Sequence, residues 1–456
     1  MTYLEVVQLF KKIEKEYDVM SIKYKSVSIW PYLRIYLIDS MTAQRAVGYT
    51  SSALSILLKS LFKFNPLRFF RKYQIWNYSS STTRKQIGNL YEHHVSGYLH
   101  KSPYSLLTIE FQSPGIQSIS RAKIPETNIV SGSWSLVLTA LIEILLRPLK
   151  QKIDGEDVIK EIVDKLGVSF DYKRRLRWLI AQKATTDFYL SISHKPQLFI
   201  IECSYTQMGR IMSAHKHNIP VVELQHGVLN ANHYAYNPTY HSDLFYPDEI
   251  CVYGVEEYNY FTKVERSFVN KVTATGLYIL DRSGEYFKDD LFAKDRKIYN
   301  RIAVVAGQMG GEERLSEFID SVASKLNDVL FIYIPRHIIE LKFKSPNVRL
   351  KIGVNIYEYL KWCDFHVTIS STTGLEAHFF KKPILFCDFN NVAKEYYGSI
   401  INEVNGAFYI HTEEEFINKL SCIKQSSYEY KELFAHNSEE KMQTVLDRYL
   451  KESPNN

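Results

Sequence analysis

Residues 364–377 read Asp364-Phe365-His366-Val367-Thr368-Ile369-Ser370-Ser371-Thr372-Thr373-Gly374-Leu375-Glu376-Ala377. The apolar run at the start predicts a buried strand, and the four hydroxyl residues with the glycine predict a turn. The residues after the turn favour a helix. A strand that turns directly into a helix is the repeating unit of a parallel α/β sheet. This stretch therefore sets the expected fold class.

Other apolar runs, on both sides of this stretch, have the continuous apolarity of strands buried on both faces. Five precede residue 281, namely Gln74–Asn77, Ser105–Ile109, Gln197–Ile201, Pro220–Leu224 and Glu249–Tyr253. Five follow residue 300, namely Arg301–Val305, Val329–Ile334, Val348–Leu350, Phe365–Ile369 and Pro383–Phe386. Helical patterns separate several of them, as in Thr206–His217, Arg314–Leu326 and Thr373–Phe380. Two successive series predict two doubly wound, Rossmann-like α/β domains that face each other across a cleft.

The same pattern predicts the domain boundaries. Residues 1–280 form an N-terminal Rossmann-like domain, and the charged stretch 281–300 links it to the next domain. Residues 301–437 form a C-terminal Rossmann-like domain, and residues 438–456 an amphipathic helix with a short tail. Ligands of such sheets bind at the carboxyl ends of the strands, so we expect the functional residues there.

Composition excludes several classes of protein. The 456 residues are 45% hydrophobic and 23% charged, the balance of a folded protein and not of a disordered one. Fifty-six Lys and Arg against 50 Asp and Glu give a net charge of +6, too small for a dedicated nucleic-acid binder. The chain contains no Walker A, HExxH or GxSxG motif and no clustered His and Asp, so we expect neither a resident cofactor nor a metal.

A basic stretch lies near the N-terminus. No acidic residue occurs between Asp39 and Glu92, whereas eight cations do: Arg45, Lys59, Lys63, Arg68, Arg71, Lys72, Arg84 and Lys85. Within the stretch, Leu54–Phe64 has the pattern of a basic amphipathic helix, which predicts contact of residues 40–91 with an anionic membrane surface. The alternative is a core-packing helix with a solvated basic face. No signal peptide is evident, and the longest apolar stretch, Trp134–Leu146, is too short to cross a bilayer, so we expect a cytoplasmic protein, peripheral on the inner face of the membrane if the stretch binds lipid.

The turn at the start of the 373–380 helix is the first candidate binding site. Hydroxyls and backbone N–H groups at a helix start form an anion site suited to a phosphate or diphosphate. The candidates for binding this phosphate are Ser370, Ser371, Thr372, Thr373 and Gly374, with Glu376 as a helix cap or a partner of a ribose. The alternative is an ordinary Ser/Thr helix cap.

Two further strand ends carry candidates for binding the same ligand. Gly307, Gln308 and Gly310 follow the first strand of the second half, where a glycine turn admits a substrate close to the backbone. Arg336 and His337 follow the next strand, where a cation can neutralise a nucleotide phosphate.

The catalytic candidates lie at strand ends of the first half. His226 follows the run Pro220–Leu224 and is a candidate general base or hydrogen-bond donor to a phosphoryl oxygen, with Gln225 and Gly227 beside it as candidates for contacting a second substrate. Glu202 and Glu223 are the carboxylates placed to transfer a proton.

Taken in order, these motifs resemble bacterial glycosyltransferases of the GT-B fold that build capsule and lipopolysaccharide. Glu223-Leu224-Gln225-His226-Gly227, Pro247–Gly254 and Val272–Gly276 look like the end of their N-terminal domain, and Ser370–Ala377 with Lys382-Pro383 looks like their donor-binding segment. The resemblance covers residues 195–390. It implies a metal-independent transfer of a sugar from a nucleotide-activated donor to a surface polysaccharide that grows on a lipid.

Two branches of this resemblance leave the donor open. In bacterial sialyltransferases and Kdo transferases a His-Pro pair and a Ser-Ser/Thr pair hold a CMP-sugar; Ser370-Ser371 fits the second pair, and Pro335-Arg336-His337 has the first in inverted order. Glycerophosphotransferases of teichoic-acid type are also similar, which implies a CDP-polyol donor. The donor nucleotide thus stays open between CMP, UDP and CDP, and the alternatives to a glycosyltransferase are a polyol-phosphate transferase, a nucleotide-sugar epimerase and a non-catalytic glycan-binding scaffold.

Overall fold

The computed structural model of the chain describes residues 3–42, 58, 60–112, 123–240, 242–263, 270–308, 311–336, 340–423 and 427–451. The strands of these residues are β1 (Lys23–Tyr24), β2 (Val27–Ser28), β3 (Ile75–Ser80), β4 (Arg84–Ile87), β5 (Leu90–His93), β6 (Leu106–Phe111), β7 (Ile129–Ser131), β8 (Leu198–Glu202), β9 (Val221–Leu224), β10 (Glu249–Val252), β11 (Lys271–Ala274), β12 (Arg301–Ala306), β13 (Val329–Ile334), β14 (Val348–Leu350), β15 (Phe365–Thr368), β16 (Ile384–Cys387) and β17 (Ala407–Ile410).

The α-helices of the same residues are α1 (Tyr3–Glu16), α2 (Trp30–Thr42), α3 (Ser133–Leu146), α4 (Glu156–Leu166), α5 (Tyr172–Ile192), α6 (Met208–Lys216), α7 (Val255–Lys263), α8 (Tyr278–Asp281), α9 (Ser283–Tyr286), α10 (Glu312–Lys325), α11 (Ile356–Trp362), α12 (Thr373–Phe379), α13 (Val392–Tyr397), α14 (Glu413–Cys422) and α15 (Ser438–Leu450). None of the helices within the described ranges is long and apolar enough to cross a membrane.

Two parallel sheets organise the molecule. The first has seven strands in the order β11-β10-β9-β8-β3-β6-β7, and the second has six in the order β14-β13-β12-β15-β16-β17. Every strand pair in both sheets is parallel. Two antiparallel hairpins, β1–β2 and β4–β5, stand apart from them. The predicted α/β class with two doubly wound sheets is confirmed.

Burial explains why these segments became strands. All six residues of β13 are buried, as are all five of β8, because helices cover both faces of each sheet. The ten predicted strands are all present, and most have shifted bounds: the run predicted at Gln74–Asn77 continues to Ser80. The strands β7, β11 and β17 were not predicted; each has only three or four residues, and β11 has no fully buried residue.

The C-terminal segment returns to the first sheet and fastens the two halves together. The Ala435 N–H donates to the Tyr253 carbonyl at 2.7 Å, and Arg448 in α15 forms an ion pair with buried Glu249 at 2.7 Å. A Cβ at Gly254 would overlap the Leu433 carbonyl, and Gly276, at φ 81°, would meet the Ala435 carbonyl in the same way. These two positions require glycine because the returning backbone passes directly against them.

The cleft between the two sheets is bridged at two places. The Asn355 Nδ2 donates to the Gln86 carbonyl in the β4–β5 hairpin at 2.8 Å, next to the rings of His94 and Tyr357, whose centroids are 6.0 Å apart. On the other side, Asn230 donates to the Tyr396 carbonyl at 2.9 Å. The hairpin therefore belongs to the first half of the chain but reaches the second.

This hairpin corrects the interpretation of the basic stretch. Arg84 is buried in an ion-pair cluster with Glu110 and with Glu126, the latter at 3.0 Å, and Lys85 faces the cleft, so neither lies on an outer surface. Arg45 lies outside the described residues, as do Lys59 and residues 54–57 of the predicted helix Leu54–Phe64. The exposed cations of the stretch within the described residues are Arg71 and Lys72.

Candidate functional site

A cavity of about 370 Å³ lies at the carboxyl ends of β3 and β8. Its wall combines hydroxyls and amides with three aromatic rings, and also carries Glu202, His226 and Arg210. The lining residues are Tyr78, Ser79, Ser80, Thr82, Thr83, Phe111, Leu136, Thr139, Trp178, Gln182, Glu202, Cys203, Thr206, Gln207, Arg210 and His226. A cavity with convergent polar groups at strand ends is the expected form of a small-molecule site.

Glu202 and His226 come together on this wall although 24 positions separate them in the sequence. Glu202 ends β8 and accepts a hydrogen bond from the Ser96 hydroxyl at 3.3 Å, while its second oxygen, like His226 Nδ1, has no partner among the described residues. Burial raises the pKa of Glu202, and His93 and His226 oppose that shift. Burial lowers the pKa of His226, against the charges of Glu223 and Glu202. A neutral imidazole with a free ring nitrogen beside a carboxyl group can accept a proton.

The other first-half candidates support this wall from behind. Glu223 is fully buried in β9; it accepts hydrogen bonds from the Ser204 N–H at 2.9 Å and from the Tyr236 hydroxyl, and it does not line the cavity. Gln225 is also buried, and it donates to the Gly227 carbonyl at 2.7 Å while accepting from the Tyr253 N–H at 2.6 Å. These bonds fix the turn that presents His226.

The backbone conformation of Gly227 is not the one that a sharp glycine turn would require. Its φ is not in the left-handed region, and no heavy atom among the described residues lies within 4 Å of the position that a Cβ would take. Open space in front of the backbone, and not a strained conformation, is what this position offers a ligand.

Across the cleft, the strand ends β12 and β15 are tied together by side chains. Gln308 donates to the Ser370 hydroxyl at 2.9 Å and accepts from the Ser370 N–H at 2.7 Å. The Tyr397 hydroxyl donates to the Ser370 carbonyl at 2.9 Å. Gln308 and Ser370, both predicted as site residues, are therefore held together at the carboxyl ends of β12 and β15.

The other residues of the predicted hydroxyl turn mostly make contacts within the protein. Because His366 Nδ1 donates to the Val304 carbonyl at 2.9 Å, its Nε2 accepts from the Thr373 hydroxyl at 3.0 Å, which commits Thr373 to the core. The Ser371 hydroxyl accepts from the Thr373 N–H at 3.3 Å, as a helix cap does. Gly374 is buried, and a Cβ there would lie 2.6 Å from the Phe386 ring, so its smallness serves helix–sheet packing.

Glu376 and two cations form the charged centre of the cleft. Glu376 is 3% exposed, and burial raises its pKa to about 7, opposed by Lys85, by Arg336 and by hydrogen bonds from the Tyr357 and Thr372 side chains. Lys85 comes from the β4–β5 hairpin of the first half, and Arg336 follows β13 of the second. Burial and the charge of Arg336 lower the pKa of Lys85 to about 8. Two like charges from opposite sides of the cleft thus act on one another and share the single buried carboxyl group of Glu376.

Glu312 adds a second carboxyl group on the C-terminal side. It begins α10 next to Gly307, where a Cβ would overlap its carboxylate, and one of its oxygens has no partner within the described part of the chain. Burial raises the pKa of Glu312 to about 7, opposed by Tyr333 and Arg336. The predicted residues Gly310 and His337 lie outside the described residues.

Charged groups of the cavity and of the cleft affect the pKa values of the same or neighbouring buried aromatic and imidazole side chains. Tyr253 is buried where the charges of both Glu376 and Glu202 raise its pKa, after burial itself. His93 acts on Glu202, and its neighbour His94 is affected by Lys85 and Arg336. No group of three or more His, Cys, Asp or Glu side chains in the described ranges is placed to hold a metal ion.

Sequence reasoning missed Lys85, Tyr357, Glu312 and Arg210. Lys85 and Arg210 carried no local signal, because one lay in a basic stretch and the other had the spacing of an ordinary helix. A usable signal did exist for the cavity. The run Ser79-Ser80-Ser81-Thr82-Thr83 covers the last two residues of β3 and the turn after it, and it is similar in kind to the hydroxyl turn after β15.

Comparison with known proteins supports the architecture. The chain is similar to the UDP complex of MnaA from S. aureus, with a TM-score of 0.54, 13% identity, and coverage of 84% of this chain and 98% of that chain. Also similar are the UDP-GlcNAc 2-epimerase from Methanocaldococcus jannaschii (TM-score 0.46, 12% identity, 82% and 99% covered) and the glycotransferase of kitacinnamycin (0.44, 12%, 84% and 95%). Neither a family model nor a curated protein sequence matches the chain. At 13% identity the likeness to MnaA shows the fold alone, which is the two-domain GT-B architecture.

Proposed function

We propose that the protein binds a nucleotide-activated sugar in the cleft and transfers the sugar to an acceptor held in the N-terminal cavity. The observation that carries the proposal is the pair Lys85 and Arg336, two cations from opposite sides of the cleft that share one buried carboxyl group, that of Glu376, whose pKa is raised to about 7. A phosphate or diphosphate between them would satisfy both charges and would draw the two halves together. UDP, the ligand named for the MnaA structure, is the first nucleotide to test.

The chemistry follows from where the groups lie. The acceptor hydroxyl gives its proton to Glu202 or His226 as its oxygen bonds to the anomeric carbon, and the bond from that carbon to the donor phosphate breaks. Negative charge then develops on the leaving phosphate. Lys85, Arg336 and the Ser371 and Thr372 hydroxyls are positioned to stabilise that charge.

The direct test is a thermal-shift panel of UDP, UMP, CDP, CMP and GDP, with uridine and cytidine as controls that lack phosphate. A ligand that binds only the folded state raises the unfolding temperature by mass action, so we expect at least one phosphorylated nucleotide to stabilise the protein and its nucleoside not to. A shift with CMP alone favours a sialic-acid or Kdo donor. A larger shift with CDP favours a polyol-phosphate donor. No shift with any nucleotide contradicts the proposal and favours a glycan-binding scaffold.

A nucleotide-sugar epimerase would use the same cleft. The two activities differ in the need for an acceptor: an epimerase converts the free nucleotide sugar, whereas a transferase releases the nucleotide only as it glycosylates a second molecule. Incubation of the stabilising nucleotide sugar with and without lipid-linked glycan, followed by NMR of the sugar, separates them. Conversion of the sugar without acceptor would assign the epimerase.

A lipid-linked acceptor is supported by the surface beside the cavity. Helix α3, which contributes Leu136 and Thr139 to the cavity wall, exposes Leu141, Ile144 and Leu145 by 53%, 50% and 71%. Phe62, 76% exposed, packs on Trp134 at the start of the same helix, with the ring centroids 5.5 Å apart. Such an exposed apolar face suits the surface of a membrane.

Vesicle co-sedimentation tests this surface. We expect wild type to bind vesicles that contain an anionic lipid, and the double variant Leu141→Glu/Leu145→Glu to lose at least most of that binding. Ile298→Glu is the matched control, since Ile298 is 72% exposed but lies in the segment between the two sheets. If wild type stays in the supernatant, the acceptor does not reach the cavity from a membrane through this face.

A further inference from the structure

Arg210 is a buried cation on the cavity wall. It lies in α6, is 3% exposed, and stands between two aromatic rings, with the guanidinium 5.4 Å from the Tyr78 centroid and 4.8 Å from the Phe111 centroid. Its Nη2 donates a long hydrogen bond of 3.4 Å to the Ser135 hydroxyl. Its Nε–H has no acceptor among the described residues.

No carboxylate among the described residues compensates this charge. In the part of the chain that the structure describes, Arg210 forms no ion pair with any Asp or Glu. Outside the described ranges, Glu265 and Glu452 are the acidic residues of the sequence. Burial lowers the pKa of Arg210 to about 10, which still leaves the guanidinium charged at neutral pH.

The other buried arginines show what compensation looks like in this protein. Among the described residues, Arg34 and Arg84 are the remaining buried arginines. Arg34 pairs with Glu14 at 2.7 Å, and Arg84 pairs with Glu110 and with Glu126. A buried charge without a partner is costly, and contacts with two aromatic rings offset only part of the cost. Arg210 therefore lacks the counter-ion that the fold supplies to its equivalents.

The remaining wall of the cavity fits a sugar. Hydroxyl and amide side chains line the cavity; those of Thr139 and Gln182 are hydrogen-bonded within the fold, whereas the Gln207 Oε1 has no donor among the described residues. Trp178 offers an aromatic face. A volume of about 370 Å³ accommodates a ligand of one or two sugar rings beside Glu202 and His226.

We propose that the cavity binds an acidic glycosyl group, with the oxyanion of that group on Arg210 and its hydroxyls on the Ser, Thr and Gln side chains. The proposal rests on the function proposed above, since it identifies the acceptor's terminal residue as a sugar that carries a negative charge. The shared chemistry is an oxyanion, which is either the carboxylate of a uronic acid or a phosphate ester.

The test compares glucuronate, glucose 6-phosphate and glucose by calorimetric titration of the full-length protein. We expect one of the two anionic sugars to bind at least tenfold more tightly than glucose, and the stronger of the two identifies the source of the oxyanion. In Arg210→Met the advantage over glucose should disappear. Equal binding of all three sugars by wild type, or a preference that survives in Arg210→Met, would overturn the proposal.

Thermal unfolding gives a second readout that a structural role of Arg210 would not produce. Because the methionine removes an unpaired charge, Arg210→Met should unfold at a temperature at least as high as wild type, whereas Arg84→Met, which breaks a buried ion-pair cluster, should unfold at a lower one. A loss of stability in Arg210→Met as large as that in Arg84→Met contradicts the claim that the charge is uncompensated.

Nucleotide affinity separates this inference from the proposed function. Arg210→Met should bind the stabilising nucleotide as wild type does. Arg210-dependent binding of the acidic sugar without any nucleotide binding would support the cavity assignment and contradict the transferase. Nucleotide binding without preference for acidic sugars would do the opposite.

Discussion

The molecule has two hydroxyl-rich turns, one in each half, and they differ in what lies opposite. Ser79–Thr83 covers the end of β3 in the first sheet and the turn after it, and Ser370–Thr373 follows β15 of the second. The first faces a cavity with Arg210, Glu202 and His226. The second faces a cleft with Lys85, Arg336 and Glu376.

Within each turn most hydroxyls are already used. The Thr83 hydroxyl donates to the Ser80 carbonyl at 2.8 Å, and Thr373 is committed to His366 at 3.0 Å. A run of serines and threonines therefore marks the carboxyl end of a strand without identifying its ligand. The charges opposite the turn distinguish the two sites: one cation beside an acid–base pair in the cavity, and two cations from different halves in the cleft.

The largest effect is expected on turnover, when the cavity residue His226 is replaced. His226→Ala should lower the turnover of the nucleotide sugar by about 10²- to 10⁴-fold, the usual contribution of a general base. Its affinity for the nucleotide should stay within about twofold, since the cleft is intact. The exposed histidine His194 provides the matched control, His194→Ala, with wild-type turnover expected. Wild-type turnover in His226→Ala would remove His226 from the reaction.

The next effect concerns the cleft and its pH dependence. Because the pKa of Glu376 is about 7 in the folded chain and ordinarily 4.5, the folded protein holds a proton that the unfolded chain has lost. That contribution to stability is complete below about pH 4.5 and disappears as the pH rises through about 7. Relative to Glu376→Gln, wild type should therefore lose about 2–3 kcal/mol of unfolding free energy between pH 5 and pH 8.

Chemical denaturation of both proteins across this pH range measures the difference. The exposed residue Glu440 supplies the control Glu440→Gln, whose stability should follow that of wild type. A constant difference between wild type and Glu376→Gln over the whole range would show that Glu376 is ionised in the folded protein.

The smallest effect is expected on nucleotide binding, when hydroxyls are removed from one turn or the other. Ser371→Ala/Thr372→Ala should weaken nucleotide binding by about three- to tenfold, the value of one or two neutral hydrogen bonds. Ser80→Ala/Thr82→Ala, the equivalent change in the other turn, should leave it unchanged. Equal loss in both variants would mean that the nucleotide contacts both turns, and no loss in the first would leave that turn a helix cap.

The strands were predictable from the sequence because burial on both faces produces continuous apolar runs. Val329–Ile334 needs no knowledge of its neighbours to be identified, and its observed bounds are the predicted ones. The strand ends followed from the strands, which is why Glu202, His226 and Ser370 were found. These predictions depend on local sequence alone.

The cations of the site depended on contacts that no local pattern contains. Lys85 reaches the cleft because its neighbour Arg84 is anchored by Glu110 and Glu126, which lie 26 and 42 positions away. Arg210 has the spacing of a solvent-facing residue on a short helix, and only the packing of α6 against Tyr78 and Phe111 buries it. Long-range packing, and not residue type, made these groups functional candidates.

The proposed function requires that cations from both halves of the molecule hold one anionic ligand. Its most direct test is the dissociation constant of UDP for wild type, Lys85→Ala, Arg336→Ala and the exposed control Lys351→Ala, measured by calorimetry. Charge-assisted hydrogen bonds contribute about 1.5–3 kcal/mol each, so each cleft variant should bind UDP at least about tenfold more weakly than wild type and the control equally well. Wild-type affinity in both Lys85→Ala and Arg336→Ala would contradict the account.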